Sequence, residues 1–260
     1  MEIEEIRSVI RGADLVLVGL GEEFQEGRRL RESEEYQRGC RQLREAGEQW
    51  LLPAWNEYCS GRLGEPIESV LQRLAGFLVD KNYFIVAVAA DSRIRRTSWK
   101  PGRLVMPCGS GLQKQCRKGC GGSVDRLEDQ DGEKLQEFFR RLYEGESAEI
   151  PELGKCPQCG EGMILNNIFA ENYDEQGYLE EWKQYMKWLQ GTLNRKLVAL
   201  ELGAGMQFPG VIRWPFEKAV FFNQQAFLIR VNERLFQLTE ELGQKGCGIP
   251  QNAIDWLEIL

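Results

Sequence analysis

No histidine occurs anywhere in the chain. Its absence removes Ser-His and Cys-His catalytic dyads together with every zinc site that needs an imidazole ligand. Long apolar runs are also missing: none approaches the roughly 20 residues that a membrane helix requires. Basic residues are in the minority, 33 against 40 acidic ones, and the resulting net charge of −7 repels phosphate backbones, so a nucleic-acid partner is not expected. Internal repeats and low-complexity tracts are lacking. The opening "MEIEEIRSVI" has neither the basic start nor the apolar stretch of a secretory signal, so a cytoplasmic location without membrane attachment is expected. There cysteines stay reduced, and paired sets favour a metal over disulfides.

What is present reads as one large α/β unit interrupted by a small module. "ADLVLVGLG" (13–21) and "YFIVAVAAD" (83–91) are compact apolar runs of the kind that form buried parallel strands. Between them lies a charged stretch with aromatic residues at loose helical spacing, predicting a helical lobe at about 22–61. The amphipathic helix "PIESVLQRLAGFLVDKN" follows it. Residues 108–162 are rich in Gly, Cys and charge and read as an insertion with its own helix, "GEKLQEFFRRLYEG". The main sheet is expected to resume with "GMILNNIFA" and to continue through "KLVALELG" and "AFLIRVN". Helices "QGYLEEWKQYMKWLQGTL" and "FEKAVFFNQQ" alternate with these strands, and a short helix closes the chain. The expectation is a Rossmann-like, mostly parallel sheet with helices on both faces, residues 1–107 and 163–260 supplying its two parts.

Two cysteine pairs stand at metal-ligand spacing: Cys116 with Cys120, and Cys156 with Cys159. Four thiolates around one zinc is the natural reading, and with all four positions filled by protein such a metal holds structure without doing chemistry. Four reduced cysteines or two disulfides are the alternatives. Cys40, Cys59 and Cys247 have no partner at useful spacing. A basic run, "RIRRTSWKPGR" (93–103), is either a solvated loop or a surface for an acidic partner.

The order of these parts resembles the sirtuin family, in a divergent, bacterial-type form lacking the catalytic histidine. The markers are the cysteine pairs, "NYFIVAVAAD" followed by "PCGSGLQKQC", and the run from Leu197 to Asn232. The last is similar to bacterial branches, including one associated with ADP-ribosyl transfer. The resemblance implies a dinucleotide site for NAD or ADP-ribose in which Gly19 and Gly21 match the family's phosphate loop. There, however, Glu22 and Glu23 put carboxylates where phosphates would sit; the alternative is that they only stabilise a helix N-terminus. Of the family's Thr-Gln-Asn-x-Asp motif only Asp91 survives, and the His-Gly pair becomes Cys108-Gly109. Gly203 and Gly205 in "ELGAG" resemble the second glycine loop, and Asn232 matches a ribose-contacting asparagine; glycines needed only for a tight turn are the alternative.

Loss of the asparagine, the histidine and the small residues of the phosphate loop together implies a degenerate sirtuin-like protein. On this reading it is catalytically inactive and serves through a protein partner or a remnant pocket for a nucleotide-like ligand. The alternative is an active, divergent NAD-dependent deacylase or ADP-ribosyltransferase using Asp91 and Cys108, the thiol helped to ionise by Arg93, Arg95 or Arg96.

Overall fold

A computed structural model describes residues 2–260. Its larger sheet has six strands, all parallel: β1 (Leu15–Leu20), β2 (Asn82–Ala87), β3 (Leu104–Val105), β7 (Leu197–Leu202), β8 (Ala226–Val231) and β9 (Gly246–Ile249), in the order β3-β2-β1-β7-β8-β9. A second, antiparallel sheet joins β4 (Gly109–Cys116), β5 (Asp125–Arg126) and β6 (Met163–Asn167) in the order β5-β4-β6. The helices are α1 (Ile3–Arg11), α2 (Arg28–Glu32), α3 (Glu34–Glu45), α4 (Leu52–Arg62), α5 (Ile67–Leu78), α6 (Ser92–Arg96), α7 (Asp129–Glu144), α8 (Leu179–Gln190), α9 (Arg213–Phe222) and α10 (Ala253–Ile259).

All six residues of β1 are buried, as a central parallel strand covered on both faces requires. Its side chains alternate. Val16, Val18 and Leu20 join a core with Ile6 and Ile10 of α1, Leu71 and Leu74 of α5 and Trp256 of α10. Leu15 and Leu17 pack on the other face with Tyr185 of α8 and Phe216 and Val220 of α9. The chain order reverses between β1 and β7, and their C-terminal ends, Leu20 and Leu202, lie side by side. Crevices at such a reversal are where doubly wound sheets bind ligands.

"GMILNNIFA" forms a strand, but not in the main sheet as expected. It is β6, and it pairs antiparallel with β4. Met163, Ile164 and Leu165 bury against Leu135, Phe138 and Phe139 of α7, and a short apolar run does not encode which sheet it joins. That same core includes Tyr36, Trp50 and Trp55, with Trp55 5.7 Å from Phe139 between ring centroids. The helical lobe and the cysteine-bearing segment therefore share one core.

Candidate functional site

The crevice between β1 and β7 gathers Gly21, Gly203, Gly205 and Asn232, four of the five residues expected to contact a dinucleotide, together with Glu22 and Glu23. Gly21 donates its N–H to Leu202 O at 2.8 Å, and a Cβ on Gly21 would lie 2.2 Å from Ala204 Cα. Only glycine permits the two loops to approach this closely. Gly203 turns the chain with φ +63°, a left-handed conformation that favours glycine, and its N–H reaches Val231 O at 2.7 Å. Asn232 is buried and locks the arrangement: its amide donates to Ala204 O at 3.1 Å, while its Oδ1 accepts from the N–H groups of Arg234 and Leu235. Gly19 stands apart, inside β1, where a Cβ would meet Ile212, which precedes α9, and Phe216 of α9; it serves helix-on-sheet packing.

Glu22 and Glu23 supply what fills this crevice. Glu22 accepts from the backbone N–H of Gly205 at 2.6 Å and of Gln207 at 3.2 Å. Glu23, which is buried, accepts from Glu233 N at 3.0 Å and from Ala253 N, in the first turn of α10, at 2.7 Å. Burial pushes the Glu23 carboxyl above its usual range, against the pull of those two amides. Four main-chain donors at a sheet crevice suit a phosphate, and here two side-chain carboxylates take them. The remaining cavity beside them, lined by Glu22, Gln25, Glu26, Tyr36, Asn56 and Phe169 among others, holds about 130 Å³. Ligand pockets are ordinarily about 300–1,000 Å³.

Beneath the 203–205 turn lies a feature that the sequence did not disclose. Arg230, 1% exposed, donates to both oxygens of the fully buried Glu201 at 2.7 and 2.9 Å and to Glu217 at 2.7 Å. Arg213 joins Glu201 at 3.4 Å and holds Ala204 O at 3.1 Å. Charged residues inside strands at Glu201 and Arg230 were the available signal, since buried charges persist only when paired.

Asp91 and Cys108 lie outside this cradle. Asp91 is buried, caps α6 by accepting from Arg93 N at 2.9 Å, and pairs with the Arg93 guanidinium at 2.6 Å. Its neighbour Glu57 accepts from Ser92 N and Ser92 Oγ at 2.8 and 2.5 Å; burial and then the Asp91 charge raise the Glu57 carboxyl. The electropositive help expected for Cys108 goes elsewhere. Arg93 is committed to Asp91, Arg95 pairs with Glu181 at 2.6 Å, and Arg96 is exposed. Burial, and then the Glu22 charge, push the Cys108 thiol up to about 12, which leaves it protonated at neutral pH. Alkylation of Cys108 in the native protein at pH 8 is therefore expected to be about a thousandfold slower than for an ordinary thiol, as read by peptide mass spectrometry.

The cysteine quartet converges. Cys116 Sγ lies 3.5 Å from Cys159 Sγ, and Cys120 Sγ 3.5 Å from Cys156 Sγ, with all four sulfurs within 4.8 Å of one another. Metal–sulfur bonds of about 2.3 Å in a tetrahedron place sulfurs about 3.8 Å apart, so the cluster has the geometry to hold a metal ion. Tight turns shape both halves: Gly119 N donates to Cys116 O at 3.1 Å and Gly160 N to Cys156 O at 2.8 Å. Burial opposes ionisation of Cys116, but the N–H groups of Cys120 and Lys118 together with the neighbouring Cys159 and Cys120 thiols bring its thiol down to about 7.

Comparison with known proteins agrees with this architecture. No family model matches the chain. A Staphylococcus aureus protein ADP-ribosyltransferase is 21% identical over 205 residues, 74% of this chain and 62% of that protein. A probable bifunctional ADP-ribose hydrolase/ADP-ribosyltransferase from Fusarium oxysporum f. sp. cubense is 30% identical over 157 residues, 57% of this chain. The chain spans 62% and 25% of the lengths of these two relatives. Among solved structures, a Sir2 homologue in complex with 2′-O-acetyl ADP-ribose superposes with a TM-score of 0.58 at 12% identity, covering 100% of this chain and 94% of that one. Sir2 with a p53 peptide and NAD+ gives 0.52 at 12% identity, covering 100% and 97%. The fold is the sirtuin fold.

Proposed function

We propose that this chain is a sirtuin-fold scaffold whose dinucleotide crevice is closed by its own carboxylates, so that it acts by binding a protein partner and does not turn over NAD. One observation carries the reading: Glu22 and Glu23 accept from the main-chain N–H groups of Gly205, Gln207, Glu233 and Ala253 beside the crevice, donors of the kind that bind a phosphate. Of the two uses left open by the sequence, a remnant nucleotide pocket and a scaffold, the small residual cavity supports the second. Cys116, Cys120, Cys156 and Cys159 would hold a structural zinc. With four thiolates bound, that ion stabilises the fold and has no open position for water. No described helix is long and apolar enough to cross a membrane, and a cytoplasmic setting, where thiols stay reduced, goes with this reading.

The named activities of the two relatives favour a second reading, a divergent ADP-ribosyltransferase or deacylase working through Asp91 and Cys108. Nicotinamide release from NAD, measured with and without an acyl-lysine peptide, separates the two. The scaffold reading expects no release above the uncatalysed background; steady release that is lost in Asp91→Asn would establish the enzyme.

A further inference from the structure

Helix α9, "RWPFEKAVFF", is apolar around most of its circumference, yet the fold covers only one side. Phe216 and Val220, with Ile212 just before the helix, pack onto the sheet. The opposite side carries Trp214 at 52% exposure, Phe221 at 44% and Phe222 at 69%, the last being the most exposed large hydrophobic side chain among the described residues. A helix with apolar residues on both sides is ordinarily buried on both, and clustered exposed aromatics mark interaction surfaces. These side chains form one wall of a cleft of about 320 Å³ whose other wall is Thr239, Glu241 and Leu242. The unpaired charges on the two walls are opposite in sign. The α9 wall carries Glu217, whose carboxylate is taken up by Arg230 at 2.7 Å, and Lys218, and the facing wall carries Glu241; Lys218 and Glu241 are exposed, and neither has an ion-pair partner among the described residues.

We infer that this cleft is the seat of a symmetric dimer, in which a second copy of this chain inserts its Phe222 and sets its Lys218 against Glu241 across a two-fold axis. A two-fold contact requires a surface complementary to itself. An aromatic knob beside an apolar cleft, with a cation on one rim and an anion on the other, meets that requirement: rotation by half a turn exchanges the rims and brings unlike charges together. The aromatic centre supplies affinity, and the charges fix the register.

Sedimentation velocity on the full chain over a wide range of concentration tests the inference. The wild type is expected to show a reversible monomer–dimer equilibrium, and Phe222→Ser to abolish it. Lys218→Glu and Glu241→Lys should each weaken the dimer by at least about tenfold, and their combination should restore it, because each reversed charge then faces the other. All these positions are on the surface, so an unchanged circular dichroism spectrum confirms folding. A wild type that stays monomeric would overturn the inference and leave the patch to a different protein. So would a dimer that survives Phe222→Ser, or a double reversal that fails to recover association.

Discussion

Replacing Cys156 with serine is expected to lower bound zinc from one ion per chain to nearly none and to unfold the smaller half of the molecule. Structural zinc contributes binding free energy on the order of 10 kcal/mol to the folding of modules of this kind. Here its loss would reach beyond the cysteine turns. Cys116 and Cys156 belong to the same buried core as Leu135, Phe138 and Phe139 of α7 and Tyr36, Trp50 and Trp55 of the helical lobe. The parallel sheet rests on two separate cores, one on each face, and should retain cooperative unfolding. Two thermal transitions in the variant, the first near room temperature, together with loss of the near-ultraviolet tryptophan signal of Trp50 and Trp55, would be the signature. Elemental analysis showing unchanged metal content would refute the four-thiolate site.

The second large effect concerns the crevice. In a Glu22→Ser/Glu23→Ser variant, four main-chain N–H groups lose their acceptors, of which that of Ala253 is buried, those of Gly205 and Glu233 partly buried and that of Gln207 open to water. An unsatisfied buried donor costs about 1–3 kcal/mol. The buried Glu23 carboxylate is itself disfavoured by desolvation, which offsets part of that cost. The variant should melt several degrees lower than the wild type, and sulfate or ADP-ribose should restore the lost stability by occupying the vacated donors. An affinity for ADP-ribose at least about tenfold above that of the wild type, roughly 1.4 kcal/mol, is expected. Thermal shift with each anion reads the effect, and equal shifts in variant and wild type would show that the carboxylates do not hold the phosphate site.

Sequence and structure agree where local pattern decides. The uninterrupted apolar runs of β1, β2, β7 and β8 read as buried parallel strands and are so. The cysteine quartet was legible because its spacing is a chemical constraint. Long-range pairing was not. β3 has two residues, and β4 and β9 contain the glycine-rich "GSG" and "GCG", which carry weak strand signals. β6 declares itself a strand, but its membership of the smaller sheet follows from packing on α7. Glu22 and Glu23 were visible as carboxylates just after the glycines that end the first strand. The donors that Glu23 satisfies lie 210 and 230 residues further along the chain, and no local pattern reports them. The surroundings of Cys108 were hidden in part by the same effect: Arg95 pairs with the distant Glu181, Arg93 is held by its near neighbour Asp91, Arg96 is exposed, and the charge that reaches the thiol is that of Glu22.

An isothermal calorimetric titration of the purified wild-type chain with NAD tests the central claim most directly. Closure of the crevice by Glu22 and Glu23 predicts no saturable heat up to millimolar ligand; a one-to-one isotherm with micromolar affinity would contradict it.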